Sequence, residues 1–374
     1  MAREQVSRRT FLGDTVAVAT GIAAAGALSA QDSSRARAQQ KIRSYNEKME
    51  YRRLGRTNLM VSAISLGSHW KRLATVLGPA FASDVDVYKT VSLNTGTART
   101  VSPEFIKNRD EVVSACIEAG INFIDTCDIA EVKAYVRALQ GRSDKVYMGF
   151  STYWQEPRFE GWRTTEKLMQ GFENGLREAK LDHVDLWRMS VRTDGSATPP
   201  AEVEAIFAAL DKAKQQGKAR FTGIGTHDYA WSKKMIETYP KQIEVLLVPY
   251  TAGSKELPKD SLFDTVRKYD VGVFGIKPFA NASLFAGDSS PNSPTAEEDS
   301  RRARLAIRYI LANPAITAPI PGLITVEQVK NMVRAIQERR ELDLKEQADL
   351  EKAAQEMWAR LPQDYQWLRK WEHV

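Results

Sequence analysis

The stretch "RDEVVSACIEAGINFIDTCD", from Arg109 to Asp128, contains the unit from which the fold can be read. Its first half has the i, i+3, i+4 apolar spacing of an amphipathic helix, and Gly120 stands where such helices end. The run "INFID" that follows is short and apolar, as in a buried strand, yet it ends on Asp125. That carboxylate is either a helix cap or loop residue, or a reacting group at the end of a strand.

The same helix and strand pattern recurs along the chain. The strand candidates are "SAISLG" (62–67), "INFID" (121–125), "KVYMGF" (145–150), "HVDLWRM" (183–189), "ARFTGIG" (219–225), "EVLLVP" (244–249), "VGVFGI" (271–276) and "ITAPIPG" (316–322). Amphipathic helical segments lie between them, which predicts a parallel sheet with helical crossovers. Eight such units within about 270 residues predict a closed (β/α)₈ TIM barrel. An open doubly wound sheet is the alternative, but no G-x-G-x-x-G motif follows the first strand.

Three segments lie outside the repeat. "YRRLGRTNLMVS" (51–62) predicts a hairpin, with its turn at Thr57 and Asn58, that plugs the barrel floor. Residues 69–108 form a long interval without clear periodicity after the first strand. We expect this insertion to fold over the barrel mouth and to define the ligand, because structureless loops of this length are usually functional or disordered. Residues 341–374 predict a helix and an aromatic tail.

The tryptophans near the end of the chain allow two interpretations. Trp358, Trp367 and Trp371 recur at near-helical spacing. Such a pattern favours packing against the barrel. The alternative is that the tail closes the pocket and lines it with aromatic rings that contact a sugar or another ring.

The first residues resemble a twin-arginine export signal. "SRRTFLG" (7–13) precedes a mildly apolar, Ala- and Gly-rich run, and small residues suited to cleavage end at Ala30 or Ala38. A membrane anchor is the alternative, but the run from Thr15 to Ala30 is shorter than the roughly 20 residues that span a bilayer. We assign residues 1–38 to the signal, 39–49 to a linker and 50–340 to the barrel. The sequence thus predicts a periplasmic or otherwise exported protein, which contacts the membrane only if the signal stays uncleaved.

Composition limits the function further. The 374 residues are 43% hydrophobic and 27% charged, as in soluble globular proteins, and a net charge of +6 is too small and scattered to predict nucleic-acid binding. The two cysteines, Cys116 and Cys127, should lie at opposite ends of one strand, so we expect free thiols. Two cysteines alone cannot hold an iron–sulfur cluster.

Several segments together resemble the aldo/keto reductase family. They are "YRRLGRTNLMVSAISLG", "AGINFIDT", "LDHVDL", "GKARFTGIG", "VGVFGIKPF" and "NPAITAPIPGLITVEQVKNM", in the family's order over about residues 50–340. The "KPF" and "THD" sequences are similar to a bacterial branch that often carries a cysteine-rich ferredoxin-like tail, which is absent here. The resemblance implies hydride transfer from NADPH to a carbonyl, with an Asp, a Tyr, a Lys and a His at the site. Asp125 matches the family's Asp.

The other three catalytic positions depart from the family pattern. Ala130 stands where the proton-donating Tyr is expected, Ser151 replaces the Lys, and Ser190 replaces the His. A methyl group cannot donate a proton, and a hydroxyl cannot supply the positive charge that lowers the pKa of a phenol. We therefore expect ordinary family chemistry to be very weak.

A substitute set is available among the polar residues that follow the strands. Our catalytic candidates are Asp125, Tyr153, His227 and Lys277, with Tyr153 or His227 as the proton donor and Lys277 as the nearby cation. His69, Asp128 and His227 could join Asp125 around a metal by ligand type, but their spacing matches no recognised metal signature, so we predict no metal site.

The cofactor positions are also mixed. The resemblance aligns Gly225 and Thr226 with the Ser-Asn that holds the nicotinamide carboxamide, Leu247 with a Gln, and Ile276 with the aromatic residue that stacks on nicotinamide. The phosphate-end pattern of "IPGLITVEQVKN" is kept, at a helix N-terminus that favours anions. The predicted cofactor contacts are Thr226, Gly322, Thr325, Gln328 and Asn331, the last two as the adenine-side pair. The expected cofactor is NADP or NAD, tightly bound.

Two functions remain open from the sequence. The first is an NAD(P)-linked oxidoreductase that acts on a carbonyl or sugar-like small molecule with an altered catalytic set. The second is a catalytically silent barrel that binds a small molecule. The retained phosphate-end pattern favours the first, and the loss of the Tyr, Lys and His favours the second.

Overall fold

The structure is a computed structural model, and it describes residues 42–68, 72–82 and 101–374. The proposed export signal and much of the 69–108 insertion, including His69 and Trp70, lie outside these residues. Within the described part, no helix is long and apolar enough to cross a membrane.

The described residues form nine strands. A hairpin of β1 (Tyr51–Arg53) and β2 (Met60–Ser62) precedes a seven-stranded parallel sheet in which each strand pairs with the next. The strands of that sheet are β3 (Phe123–Asp125), β4 (Tyr147–Phe150), β5 (Val184–Ser190), β6 (Ala219–Gly225), β7 (Val245–Pro249), β8 (Gly272–Ile276) and β9 (Ala318–Ile320).

The sheet closes through the segment predicted as the first barrel strand. Parallel bridges join Leu66 to Ile124 on one side and Gly67 to Gly322 on the other. A Cβ atom on Gly67 would lie 2.8 Å from the Pro321 carbonyl oxygen, so the closure needs a residue without a side chain there. The predicted strand over 62–67 is thus reduced to two bridges, and the (β/α)₈ barrel is confirmed.

Ten helices are formed by the described residues. They are α1 (Leu73–Leu77), α2 (Pro103–Glu118), α3 (Ile129–Ala138), α4 (Thr165–Ala179), α5 (Pro200–Gln215), α6 (Tyr229–Thr238), α7 (Leu262–Lys268), α8 (Ala296–Ala312), α9 (Val326–Gln337) and α10 (Leu344–Ala359). Helix α1 and the first turns of α2 lie inside the 69–108 interval that we expected to be irregular. Helix α2 begins early because Ser102 caps it, its hydroxyl accepting from the Phe105 amide at 3.0 Å, and Pro103 needs no hydrogen-bond partner for its nitrogen.

The hairpin closes the barrel floor, as predicted. Leu54 and Val61 are fully buried in the cluster that fills the barrel interior. The Leu54 side chain packs against the backbone of Gly272 at the start of β8, where a Cβ atom would come within 2.6 Å of it. With the floor filled, the accessible end of the barrel is the one where the parallel strands finish.

The aromatic tail docks back onto the barrel. After α10, a 3₁₀ segment spans Gln363–Trp371, and the Leu368, Trp371 and Val374 side chains are fully buried. The Leu257 amide donates to the Val374 carbonyl at 2.7 Å, and the Trp371 indole donates to the His227 carbonyl at 3.1 Å. The tail is therefore part of the fold and lies next to the loop that follows β6.

Candidate active site

A cavity of about 800 Å³ opens where the barrel strands end. Its lining begins at the ends of β3, β5 and β6, passes Lys277 after β8, and reaches the first turns of α8 and α9. Active sites of (β/α)₈ enzymes lie at this face, and the volume is within the usual range for small-molecule sites.

The innermost polar group of the cavity is an ion pair between Asp125 and Arg188. Arg188 Nε lies 3.0 Å from Asp125 Oδ1 and Nη2 lies 2.7 Å from Oδ2, with side-chain exposures of only 6% and 8%. Burial raises the pKa of Asp125, and the guanidinium opposes that rise. Burial lowers the pKa of Arg188, but Asp125, Cys127 and Glu156 together outweigh it, so the pKa is raised and the guanidinium stays charged. Asp125 is therefore the anchor of a buried cation rather than a helix cap.

The cap of α3 is Asp128 instead. Its carboxylate accepts from the Ala130 amide at 2.9 Å and the Glu131 amide at 3.3 Å. The thiols of Cys116 and Cys127 are both free, and burial raises the pKa of each to about 12. Among the described residues no three His, Cys, Asp or Glu side chains could hold a metal ion, and His69 lies outside that set.

The two serines at the ends of β4 and β5 both contact a second buried carboxylate, Glu156. Its oxygens accept from Ser151 Oγ at 2.9 Å and from the Thr152 and Ser190 amides at 2.8 Å. Glu156 is fully buried, which raises its pKa, while Arg188 acts to lower it. The positive charge of Arg188 thus opposes the rise in the pKa of two buried carboxyl groups, those of Asp125 and Glu156.

Sequence reasoning missed Arg188 and Glu156. A signal for Arg188 was present, because side chains alternate along a strand and Leu186, inside the barrel, shares a face with Arg188 and Ser190. Glu156 lies in a loop after β4, and no periodicity specifies where a loop side chain points.

The four predicted catalytic residues all line this cavity. Tyr153 begins a 3₁₀ turn after β4, and its hydroxyl oxygen accepts from Arg158 Nη1 at 3.3 Å. The Tyr153 ring packs edge-on against Trp154 and Phe159. Lys277 Nζ lies 5.7 Å from the ring centres of both Tyr365 and Trp367.

His227 stacks on Trp367, with ring centres 3.7 Å apart and planes at 15°. Burial, then Lys277 and Arg158, hold its pKa well below the usual range. The imidazole is therefore neutral near pH 7, and this weakens the prediction that it is the acid of the site. Its Nδ1 is buried and has no hydrogen-bond partner among the described residues.

The tail contributes a wall of the cavity. Tyr365 and Trp367 line it, with ring centres 6.2 Å apart and planes at 30°. Trp371 is fully buried, and Trp358 packs against Gly253, where a Cβ atom would lie 2.7 Å from the indole nitrogen. The packing interpretation therefore holds for Trp358 and Trp371, and the pocket-wall interpretation holds for Trp367.

The five predicted cofactor residues also line the cavity: Thr226, Gly322, Thr325, Gln328 and Asn331. At the start of α9, Thr325 Oγ1 accepts from the Gln328 amide at 3.1 Å and Gln328 Oε1 accepts from the Thr325 amide at 3.4 Å, which is a capping box. Gln328 Oε1 also accepts from the Ile324 amide at 2.8 Å. A Cβ atom on Gly322 would lie 2.8 Å from the Ser68 carbonyl oxygen, so no side chain fits there. Gly322 itself is exposed and lines the cavity with its backbone.

The adenine-side pair is engaged within the fold. Asn331 donates to the Ser300 carbonyl at 2.9 Å and accepts from Arg304 at 2.8 Å, which ties α9 to α8. Gln328 uses its oxygen in the cap of α9. Through these hydrogen bonds, Gln328 and Asn331 hold the backbone at this end of the cavity in place.

A strap formed by residues 286–289 runs along one flank of the cavity. The buried Asp299 carboxylate accepts from the Ala286 amide at 2.6 Å and the Gly287 amide at 3.2 Å, and it also accepts from Ser289. From the opposite side, Arg72 donates to Ser289 Oγ at 3.1 Å and to the Asp288 carbonyl. The strap is thus held at both edges, between α8 and the residues before α1.

Comparison with known proteins agrees with this geometry. The chain is 27% identical to L-galactose dehydrogenase of Arabidopsis thaliana over 79% of its own length and 91% of that enzyme. It is 24% identical to methylglyoxal reductase YeaE of Escherichia coli over 66% and 84% of the two chains. An aldo-keto reductase of Bacillus halodurans (holo form) shares the fold with a TM-score of 0.57 at 19% identity, covering 82% of this chain and 96% of that one. The aldo/keto reductase family model matches residues 90–355, and the chain therefore belongs to the aldo/keto reductase family.

Proposed function

We propose that this protein is an exported, NAD(P)-linked oxidoreductase that acts on a carbonyl or sugar-like small molecule with an altered catalytic set. The observation that carries the proposal is that one continuous cavity reaches from the Asp125–Arg188 pair to the N-terminus of α9. The helix N-terminus at one end favours the phosphate groups of a dinucleotide, and the ion pair at the other end lies where a small substrate would react.

The residues at the α9 end fit a dinucleotide. The capped start of α9, the exposed backbone at Gly322 and the cavity-lining hydroxyl of Thr226 would hold its phosphate and amide groups. When bound, the cofactor supplies or removes a hydride. The strap, closed by Asp299 and Arg72, would enclose it and slow its release.

Arg188 would supply the charge that the reaction needs. Reduction of a carbonyl builds negative charge on its oxygen, and a fixed, water-shielded cation stabilises that charge. In family terms, Arg188 from β5 would replace the cation that Ser151 does not provide, with Asp125 holding it in place. The proton would come from a phenol at the cavity mouth, either Tyr153 or Tyr365. His227 in its neutral form, together with Lys277, would orient the substrate.

The substrate class is supported by the walls and by the relatives. Aromatic rings from Trp154, Tyr365 and Trp367 lie among charged groups, as suits a small polyhydroxylated or carbonyl compound. One relative is an L-galactose dehydrogenase and another is a methylglyoxal reductase. We further propose that the twin-arginine route exports the folded chain with its nucleotide already bound, since that route carries folded proteins.

The test uses the full chain purified from its export compartment. Denaturation should release NADP or NAD, and adding either nucleotide to stripped protein should raise its melting temperature. Activity is then followed at 340 nm with methylglyoxal and the reduced nucleotide, or L-galactose and the oxidised one. The Arg188→Lys variant should lose turnover, whereas Arg192→Lys, at a half-buried pair with Glu202, is the matched control. No released nucleotide and no shift at millimolar nucleotide would refute the proposal.

A second candidate is a silent barrel that binds its ligand without hydride transfer. The contact of Ser151 and Ser190 with Glu156, in place of a Lys and a His facing the substrate, favours it. Nucleotide binding without turnover of any probe compound would support this candidate over the first.

A further inference from the structure

The tail brings a phenol into the cavity that lacks one after β3. Ala130, in the first turn of α3, has only a methyl group. Tyr365, on the 3₁₀ segment of the tail, lines the same cavity as Asp125, Cys127 and Arg188. We propose that Tyr365 donates the proton to the reacting oxygen, an inference that rests on the oxidoreductase function proposed above.

Tyr365 lines the same cavity as Asp125 and Arg188, and it lies within electrostatic range of Tyr153 and Cys127. Burial raises its pKa, and Asp364, Tyr153 and Cys127 add to the rise. Cys127 lies two residues after Asp125 and is itself within the field of Arg188. The phenol therefore keeps its proton at neutral pH, as a proton donor must.

The Tyr365 hydroxyl is available for a ligand. Within the described residues its oxygen takes part in no hydrogen bond, and only its backbone amide is engaged, with the Pro362 carbonyl at 2.9 Å. Tyr153 differs, because its oxygen already accepts from Arg158 and its ring is held by Trp154 and Phe159. Of the two phenols, Tyr365 is the one whose oxygen makes no hydrogen bond among the residues that the structure describes.

The tail also fixes Tyr365 in place. Trp367 stacks on His227 and beside Tyr365, and the segment is anchored to the barrel beyond this ring pair. The Lys255 amide donates to Glu372 and the Leu257 amide to Val374, each at 2.7 Å. A general acid needs such fixed placement, since proton transfer requires hydrogen-bond contact with the substrate.

The proposed step balances. The carbonyl carbon gains a hydride from the reduced dinucleotide, and the electron pair of the C=O double bond moves to oxygen. That oxygen takes the proton of Tyr365, whose O–H bond breaks to leave a phenolate. The products are an alcohol and the oxidised dinucleotide, and a proton from water restores the phenol.

The test compares Tyr365→Phe with Tyr153→Phe in the full chain, each of which removes one oxygen, and with Tyr269→Phe outside the cavity. With methylglyoxal and the reduced nucleotide, Tyr365→Phe should lower kcat by about 10²–10⁴-fold, the usual contribution of a general acid. KM and the nucleotide dissociation constant should stay the same, and the solvent deuterium isotope effect on kcat should disappear. Tyr153→Phe should retain that isotope effect.

Three outcomes would overturn the inference or its basis. If the intact chain turns over the probe and Tyr365→Phe matches it in kcat, only this inference fails. The same holds if Tyr153→Phe, and not Tyr365→Phe, abolishes the isotope effect. If the intact chain holds nucleotide but turns over no probe, the proposed function fails as well. If Tyr365→Phe melts at a much lower temperature than the parent, the decisive measurement is made on Tyr365→Ala instead. Added phenol should then restore its kcat, and no restoration would overturn the inference.

Discussion

Replacing Arg188 with methionine would leave two carboxyl groups buried without their cation. Arg188 makes both hydrogen bonds to Asp125 and also donates to the Thr126 carbonyl at 3.0 Å and to Ser190 Oγ at 3.1 Å. Breaking a buried pair by removing one partner costs about 3–5 kcal/mol. At roughly 2.1 cal/mol/K of unfolding entropy per residue, that lowers the melting temperature by about 4–6 °C for a chain of this length.

The loss should depend on pH with a definite sign. Burial already raises the pKa of Asp125 and of Glu156, and Arg188 opposes both shifts. Without the guanidinium, the folded carboxyls should bind protons well above the range near 4 in which the unfolded ones titrate. A carboxyl whose pKa is raised by folding stabilises the fold at low pH, and this stability is lost as pH rises, by about 1.4 kcal/mol per pH unit for each proton. The variant should therefore be closer to the parent at pH 5 than at pH 8.

Urea unfolding of the parent and of Arg188→Met at pH 5 and pH 8 measures this directly. Arg192→Met is the matched control, because its pair with Glu202 is partly exposed, with side-chain exposures of 24% and 20%, and should cost about 1 kcal/mol or less. If Arg188→Met loses no more than the control at pH 8, or the same amount at both pH values, the buried carboxyls do not depend on this cation and the reasoning is wrong.

Three further predictions concern the cavity walls. His227 should stay neutral down to a pH well below 6.5, so its ring proton shifts in NMR should titrate below that value, and a midpoint at or above it would contradict the burial argument. Gly322→Ala should lower the free energy of unfolding by about 1–3 kcal/mol and weaken nucleotide binding, because its methyl would press on the Ser68 carbonyl; unchanged binding by calorimetry would count against the cradle. Asp299→Ala should release the strap at residues 286–289, and nucleotide dissociation measured by stopped-flow fluorescence should be faster; an unchanged rate would show that the strap does not retain it.

The barrel could be predicted from the sequence because each strand is short, apolar and followed by a helix of clear periodicity. The interval 219–225 was predicted to the residue, since Gly217 and the turn that contains it end α5 just before it. The first strand was harder to predict, because its pairing at Gly67 depends on the approach of Pro321 and Gly322 from the other end of the chain.

The candidate site could be predicted only in part. Asp125, Tyr153, His227 and Lys277 were found because strand ends converge at one face of a barrel, whatever their roles. Tyr365 could not be placed, since the position of the tail depends on hydrogen bonds from Lys255 and Leu257 to residues more than 100 positions later. From the sequence, Ser151 and Ser190 could be interpreted only as loss of the family's Lys and His. Their hydrogen bonds to Glu156 show that both positions hold a buried carboxylate instead.

Because the docked tail forms one wall of the cavity, the cavity can open by detachment of the tail while the barrel stays folded. Its attachment includes backbone hydrogen bonds at Lys255 and Leu257, a hydrogen bond from the Ser261 hydroxyl to the Val374 carbonyl, and the buried side chains of the last residues. Such a segment is a local unfolding unit, whose opening requires less free energy than melting of the central strands. Amide hydrogens of Leu257 and Val374 should then exchange with solvent through a low-energy opening shared with the tail, while those of β6 and β7 exchange only on global unfolding. A ligand that bridges the tail and the barrel would slow the first exchange and leave the second unaltered, so that protection at these two amides reports on a closed site without any assay of turnover.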